Sequence, residues 1–406
     1  MIDISKKQKN TNKIICASLI IAMLIGSIIL ERFGSSGNWT MLIACIRRSA
    51  IFALLAVSMN LLNGFTGLFS LGQAGFMLLG AYTYGIFTIP LSQRNSVYYM
   101  YIKAANEATN TPAIEPTIQF SFPEVLSSVL GGPGMILGVL IAMILGGLVA
   151  AGIAFLIGLP VLRLRSDYLA IATLGFAEII RAVFQWNKLG PLINGANPIR
   201  NYVTLSDFKL TIGGAVYPMG TFMLLVFSML FIGIIVMLIN SSYGRAFKAI
   251  REDEIAAEAM GINLYKHKQL AFCISSFFAG VGGAMLAMFL AMAQAKGFMS
   301  AMTFQILLMV VLGGIGSVSG SCIGAILFIF ASEWWLRGLD SGTFLGIFAP
   351  AIFRPGFRLV VIALVVMSVI LFFRRGLLGD KELTYYIGRI KERFSARKVK
   401  AGEQNG

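Results

Sequence analysis

Few side chains in this 406-residue chain can do chemistry, and they fall into three groups. The densest is GRAFKAIREDEIAAEAMG, Gly244 to Gly261, which sets seven charges (Arg245, Lys248, Arg251, Glu252, Asp253, Glu254, Glu258) between two long apolar runs. The second is Glu178 with Arg181, three apart and so on one helical face. They either neutralise each other or complement the ammonium and carboxylate of a zwitterion. The third is Asn60, Asn63, Ser70 and Gln73, polar groups among glycines inside an apolar run. At membrane depth such groups glue helices together or line a path. The glycines also permit a bend whose freed amides and carbonyls can hold a zwitterion.

Covalent catalysis has no foundation here. No Ser/His/Asp constellation and no paired carboxylates share an apolar run, and the single histidine, His267, cannot build a metal site. Cys16, Cys45, Cys273 and Cys322 lie in or beside apolar runs and read as small hydrophobes. The chain has no G-x-x-x-x-G-K-[S/T] loop, and not even a Gly-Lys pair, so it has no usual cradle for ATP. No cofactor is expected in this chain, and energy from ATP must come through another one.

The elements that position these groups are membrane helices. Hydrophobic residues make up 57% and charged ones 13%, with a mean hydropathy of +0.81, well outside the range of soluble domains. The 44 glycines fit close helix packing in lipid. A formal charge of +15 raises nucleic acid as a partner. Its placement at the chain ends and in short loops instead follows the positive-inside pattern, so membrane lipid is the expected surroundings and nucleic acid is not.

The expected class is all-α and polytopic, with about ten spans near 14–30, 43–63, 66–89, 134–159, 167–186, 219–240, 269–291, 303–314, 319–337 and 357–373. Lys6, Lys7, Lys9 and Lys13 mark a cytoplasmic N-terminus (1–13), and nine basic against three acidic residues from Arg374 to Lys400 mark a cytoplasmic tail (374–406). Between them, 14–373 forms the transmembrane domain, with an external loop at 90–129 and a cytoplasmic loop at 241–268. Ten spans satisfy these placements; nine would put the basic tail outside. The count requires residues 303–337 to cross twice, turning at GGIGSVSG (Gly313 to Gly320), with a short first arm. The run 14–30 reads as an uncleaved span, because Glu31-Arg32 follows where a cleavage site would need small residues. Arg47 and Arg48, at the outer start of the second span, resist the scheme unless they face the bundle interior or a headgroup layer, or the span begins at Ser49.

In 244–261, Phe247, Ile250, Ala257 and Gly261 fall near one face of a helix, with charges around the rest. Such a helix docks its apolar strip in a partner's groove while Arg251, Glu252, Asp253 and Glu258 meet the rim, or it lies solvated with no partner. Gly261 ends it.

This stretch resembles the cytoplasmic coupling loop of bacterial ABC importer permeases. The loop's Glu-Ala-Ala, three residues, then Gly appears here as Ile255-Ala256-Ala257 and Gly261, with acids at Glu254 and Glu258 beside the replaced Glu. The wording is closest to branched-chain amino acid permeases of the LivM type. NLLNGFTGLFSLGQAGFMLLGAY (Asn60 to Tyr82), RLRSDYLAIATLGFAEIIR (Arg163 to Arg181), LLMVVLGGIGSVSG (Leu307 to Gly320) and FFRRGLLG (Phe372 to Gly379) resemble that family's other signatures, in order. Gln73, often His in the family, the long 90–129 loop and the basic tail depart from it.

The resemblance implies a permease subunit without catalytic chemistry, set in the bacterial inner membrane and importing leucine, isoleucine and valine. Its partners would be a second, LivH-like permease, two cytoplasmic ATPases holding ATP and Mg, and an external binding protein. Gly244, Arg245, Ile250, Arg251, Glu252, Asp253, Glu254, Ala256, Ala257, Glu258 and Gly261 would form the ATPase-coupling loop. Urea and short-chain amide permeases look alike across these motifs. An ion-coupled carrier is a separate alternative, with Glu178 as its titratable site.

Overall fold

The computed structural model describes residues 37–98 and 118–336, apart from 119, 165 and 213–214, with scattered positions in 24–31 and 343–382. The basic N-terminus, Cys16, most of the runs 14–30 and 357–373, loop residues 99–117 and the tail beyond Glu382 lie outside the described residues. The helices are α1 (Gly37–Asn60), α2 (Gln73–Thr88), α3 (Phe122–Leu130), α4 (Gly132–Val161), α5 (Ser166–Phe184), α6 (Gly220–Ile239), α7 (Ser242–Glu252), α8 (Glu254–Ala259), α9 (Leu264–Leu290), α10 (Ser300–Gly313) and α11 (Val318–Ile329). Two antiparallel hairpins, β1 (Lys209–Ile212) with β2 (Ala215–Pro218) and β3 (Thr343–Phe344) with β4 (Ile347–Phe348), decorate the connections.

Among the described residues, five helices are long and apolar enough to cross a membrane, and seven if two bent pairs each count as one span. The bent pairs are α2 with Leu91–Val97, turned by 101°, and the end of α5 with Asn187–Ile193, turned by 61°. The third expected span starts seven residues late, because residues 66–72 are not helical. The long loop is also shorter than expected, since α3 begins at Phe122 inside it and packs back on α4. Residues 303–336 form an antiparallel hairpin, with Gly313 against Gly320 and Gly324 against the Met309 carbonyl. Its first arm, α10, has 14 residues and is about 21 Å long, short of a 30 Å hydrocarbon core.

The centre is a three-helix crossing of α2, α4 and α9, whose apolar sequences give no strongly polar face and suit burial from several sides. Small residues let the backbones touch. A Cβ at Gly80 of α2 would sit 1.9 Å from the Gly280 carbonyl oxygen of α9, and one at Gly283 would sit 2.0 Å from the Met77 carbonyl oxygen. Gly146 of α4 meets Gly80 from the other side. Without a hydrophobic drive between helices in lipid, this close approach supplies the van der Waals attraction that holds them.

Around the triad, α1 packs on α6, α9, α10 and α11. The two awkward arginines of α1 are paired across helices. Arg47 Nη2 lies 2.5 Å from Glu31 Oε1 and its Nε donates to Thr221 Oγ1 at 2.7 Å; Arg48 Nη1 lies 2.7 Å from Glu333 Oε1. Thr221 is the second residue of α6, so Arg47 is level with the start of that span.

Candidate functional site

Residues 244–261 do not form one helix. Asp253 adopts extended geometry (φ −157°, ψ 115°) and divides α7 from α8. Its carboxylate Oδ1 then accepts from Ile255 N at 2.8 Å and Ala256 N at 3.0 Å, the cap that starts α8. The far end closes at Gly261, φ +84°. Gly261 N donates to Glu258 O at 2.9 Å and Ile262 N to Ala257 O at 3.1 Å, the paired bonds of a glycine-terminated helix.

The apolar strip faces the chain's own body. Gly244 abuts the Ile239 carbonyl, and Phe247, Ile250 and Ala257 are buried, against the expectation that they enter a partner's groove. Phe247 belongs to the main core and its ring lies 6.5 Å from that of His267. The charges are also largely engaged. Arg245 reaches Ser242, Glu252 pairs with Arg251, and Glu254 Oε2 lies 2.6 Å from Lys268 Nζ on α9. What projects outward is Ile255 and Met260, 81% and 83% exposed, beside the exposed Ala256 and Glu258. Neither lies on the apolar strip that helical periodicity picks out; Ile255 enters only as the residue at the motif's replaced Glu, and Met260 carries no local signal.

Beneath this segment lies the bend expected between Asn60 and Tyr82. After α1 the chain makes one π turn, Leu61–Phe65, then runs unwound to Gly72. The polar groups freed by this break are taken up inside the protein. Thr66 Oγ1 donates to Leu61 O, Leu71 N donates to Thr173 Oγ1, and Ala74 N donates to Thr303 Oγ1. Asn63 Oδ1 accepts from Ser70 N at 3.2 Å, and Gln73 Nε2 donates to Ser58 Oγ at 2.7 Å. Fully buried Asn60 donates Nδ2 to Ser317 O (2.9 Å) and Ser321 Oγ (2.8 Å) while Oδ1 accepts from Gly316 N (2.9 Å). Ser58, Thr173, Thr303, Ser317 and Ser321 are thus partners that no local motif singled out.

Glu178 and Arg181 sit apart from both groups, in the last two turns of α5. Arg181 Nε donates to Glu178 Oε2 at 2.7 Å, and Ser300 Oγ, at the start of α10, donates to Glu178 Oε1 at 2.8 Å. The pair is partly exposed, so its charge is balanced without being sealed.

A model of the family described as branched-chain amino acid transport system / permease component matches residues 41–374, from the start of α1 past the hairpin. The chain belongs to this family. It is 31% identical over 306 residues to the high-affinity branched-chain amino acid transport system permease proteins LivM of Salmonella typhimurium and Escherichia coli, covering 70% of this chain and 61% of each relative. A probable branched-chain amino acid transport permease protein LivM of Methanocaldococcus jannaschii is 27% identical over 288 residues, 69% of this chain and 76% of its own length. The chain therefore spans less than two thirds of the two enterobacterial relatives. No solved structure matches it.

This permease is an integral membrane protein, and its family is one of transport subunits and not of enzymes. Among the described residues no group of three or more metal-binding side chains occurs. Between α1, α6 and α11 the permease holds an apolar cavity of about 510 Å³, walled by Ile46, Ala53, Leu225, Ile232, Ile326 and Phe330. Ser49, whose buried hydroxyl lacks a hydrogen bond, and Ser228 are the polar groups on it, too few to hold both ends of a zwitterion.

Asn60 offers a direct check on the joint. Asn60→Ala removes the acceptor of the half-buried Gly316 amide and one donor each from Ser317 O and Ser321 Oγ, which still bond to each other. The expected loss is about 1–3 kcal/mol for leaving buried polar groups unsatisfied, read as a lower Tm of the detergent-solubilised permease.

Proposed function

We propose that this chain is the LivM-type transmembrane subunit of an ABC importer that moves leucine, isoleucine and valine into a bacterial cell across the inner membrane. The observation that carries the reading is the outward face of α8. Ile255 and Met260 stand exposed on a capped helix beside Glu252, Asp253, Glu254 and Glu258, charges that exclude hydrocarbon. An apolar pair in such a setting suits a soluble protein partner.

The partner is an ATPase subunit carrying ATP and Mg, one of two. A second, LivH-like permease completes the membrane pair, and an external binding protein supplies cargo. In this reading the 241–268 segment, with both termini, is cytoplasmic, and ten spans include the runs 14–30 and 357–373. Residues 1–13, 14–373 and 374–406 are then basic N-terminus, permease domain and basic tail. Closure of the ATPases displaces α7 and α8, and the permease pair alternates between outward- and inward-open states. Asn60, Asn63, Ser70 and Gln73 hold the moving joint, while Glu178 and Arg181, still partly open, are the better contacts for a passing ammonium and carboxylate.

The test is uptake of labelled leucine in the native host with this gene intact or deleted, at clamped ion gradients and with ATP depleted or not. Leucine uptake that needs both the gene and ATP supports the reading. Gene-dependent uptake of urea in place of leucine overturns the cargo, and uptake that follows a proton or sodium gradient without ATP overturns the importer.

A further inference from the structure

At the α7 end the chain leaves its π turn after Phe65, so the Gly64 carbonyl looks out of a helix end, where backbone oxygens need outside partners. Arg251, in the last turn of α7, supplies one: its Nη1 donates to Gly64 O at 2.9 Å. Two of its remaining donors go to Glu252 Oε1, 3.1 Å from Nε and 2.6 Å from Nη2, which orients the plane of the guanidinium. The stem crosses Gly67, φ +75°, where an added Cβ would lie 3.1 Å from Arg251 Cγ. One turn earlier, Lys248 Nζ sits 5.5 Å over the Phe65 ring. The segment that carries Ile255 and Met260 is therefore tied to the broken end of α1 through two side chains. From there Asn60 continues the line into the α10–α11 turn. Glu382 holds that turn from its other side, accepting from Val318 N at 2.8 Å and Ser319 N at 3.0 Å.

We propose that Arg251 is a positioning residue that transmits displacement of α7 and α8 into α1 by its grip on the Gly64 carbonyl. This rests on the importer reading given above. In this proposal the seating of the ATPase falls to the exposed Ile255 and Met260, whereas Arg251 uses Nη1 on Gly64 O within the chain. Binding of the ATPase and coupling of its work to transport are thus separable at this side chain. Lysine cannot replace it: a single ammonium cannot hold Gly64 O and Glu252 together in a fixed plane.

The experiment purifies the whole transporter with its partner chains from the native host and reconstitutes it in proteoliposomes. Three readouts are taken for wild type, Arg251→Ala, Arg251→Lys and Gly67→Ala: ATPase subunits recovered, ATP hydrolysed and labelled leucine accumulated. Arg251→Ala is expected to keep its ATPases and its hydrolysis while leucine accumulated per ATP falls about tenfold, within the range for residues on a coupling route. Arg251→Lys and Gly67→Ala should show a smaller fall of the same kind, which covers the case in which the alanine variant does not fold. Unchanged leucine per ATP in the variants overturns the proposal, as does loss of ATPase recovery from Arg251→Lys, which would make Arg251 a docking residue. A wild-type complex that carries no ATPase overturns the importer reading itself, and this proposal with it.

Discussion

Aspartate at both Ile255 and Met260 should release this chain from the ATPases proposed as its partners. The two side chains are the most exposed large hydrophobics on α8 and its cap, and neither contributes to the core cluster. Apolar anchors at the centre of an interface cost about 2 kcal/mol or more each when lost. Together that is roughly three orders of magnitude in affinity, and the added carboxylates, beside Glu254 and Glu258, deepen the loss if the groove is acidic or apolar. Stability should hold to within about 0.5 kcal/mol, as for other exposed sites. Pull-down from the native host, with partners identified by mass, reads the first effect and Tm the second. Full recovery of ATPases with the double variant would remove α8 as the docking face. The contrast with Gly261→Arg is instructive: that change strains a left-handed position and disturbs the end of α8 itself, so it tests the shape of the segment more than its contact.

The second large effect belongs to the three-helix crossing. Gly80→Ala places a methyl 1.9 Å from the Gly280 carbonyl oxygen, 2.4 Å from its carbon and 2.6 Å from its Cα, all backbone of α9. No rotamer change relieves a clash with backbone, so α2 and α9 must separate and give up the contacts along both. Overpacking of a tight core costs about 1–3 kcal/mol when side chains can adjust, and here the cost should exceed that range. Folded yield and Tm in detergent are the measurements. Gly152→Ala, on α4, is the control: nothing lies within 4 Å of its Cβ position, and alanine favours a helix by about 0.5–1 kcal/mol over glycine. Equal stability of Gly80→Ala and the wild-type protein would mean that α2 and α9 do not meet as described.

Much of this was legible in the chain. Apolar runs of span length marked α1, α4, α6, α9 and α11, because a membrane-capable helix is a local property of composition. The charged segment stood out for the same reason, and Gly261 announced its end because a left-handed turn admits glycine where other residues are strained. Family motifs spread from Asn60 to Gly379 carried the permease assignment, and the family match over 41–374 agrees with it.

Other features depend on which distant residues meet. Periodicity found the apolar strip Phe247, Ile250 and Ala257, yet a helical pattern does not say whether its apolar side faces a partner or the same chain; contact with the core decides that. The break at Asp253 hides in an otherwise helical pattern, since an aspartate reads alike as a charge and as a cap. Glu178 and Arg181 were placed three apart correctly, but their height depends on where α5 bends and on Ser300, 122 residues away. Asn60 is the clearest case. Its amide looked equally suited to a cargo or to a neighbouring helix, and only the return of residues 316–321 to its side, across more than 250 residues of chain, fills its hydrogen bonds. Local composition determined that these helices exist and where the charged segment lies. Tertiary packing decided which polar atoms are already satisfied and which apolar side chains remain for another protein, because burial and hydrogen-bond partners are set by neighbours that the chain brings together only when folded.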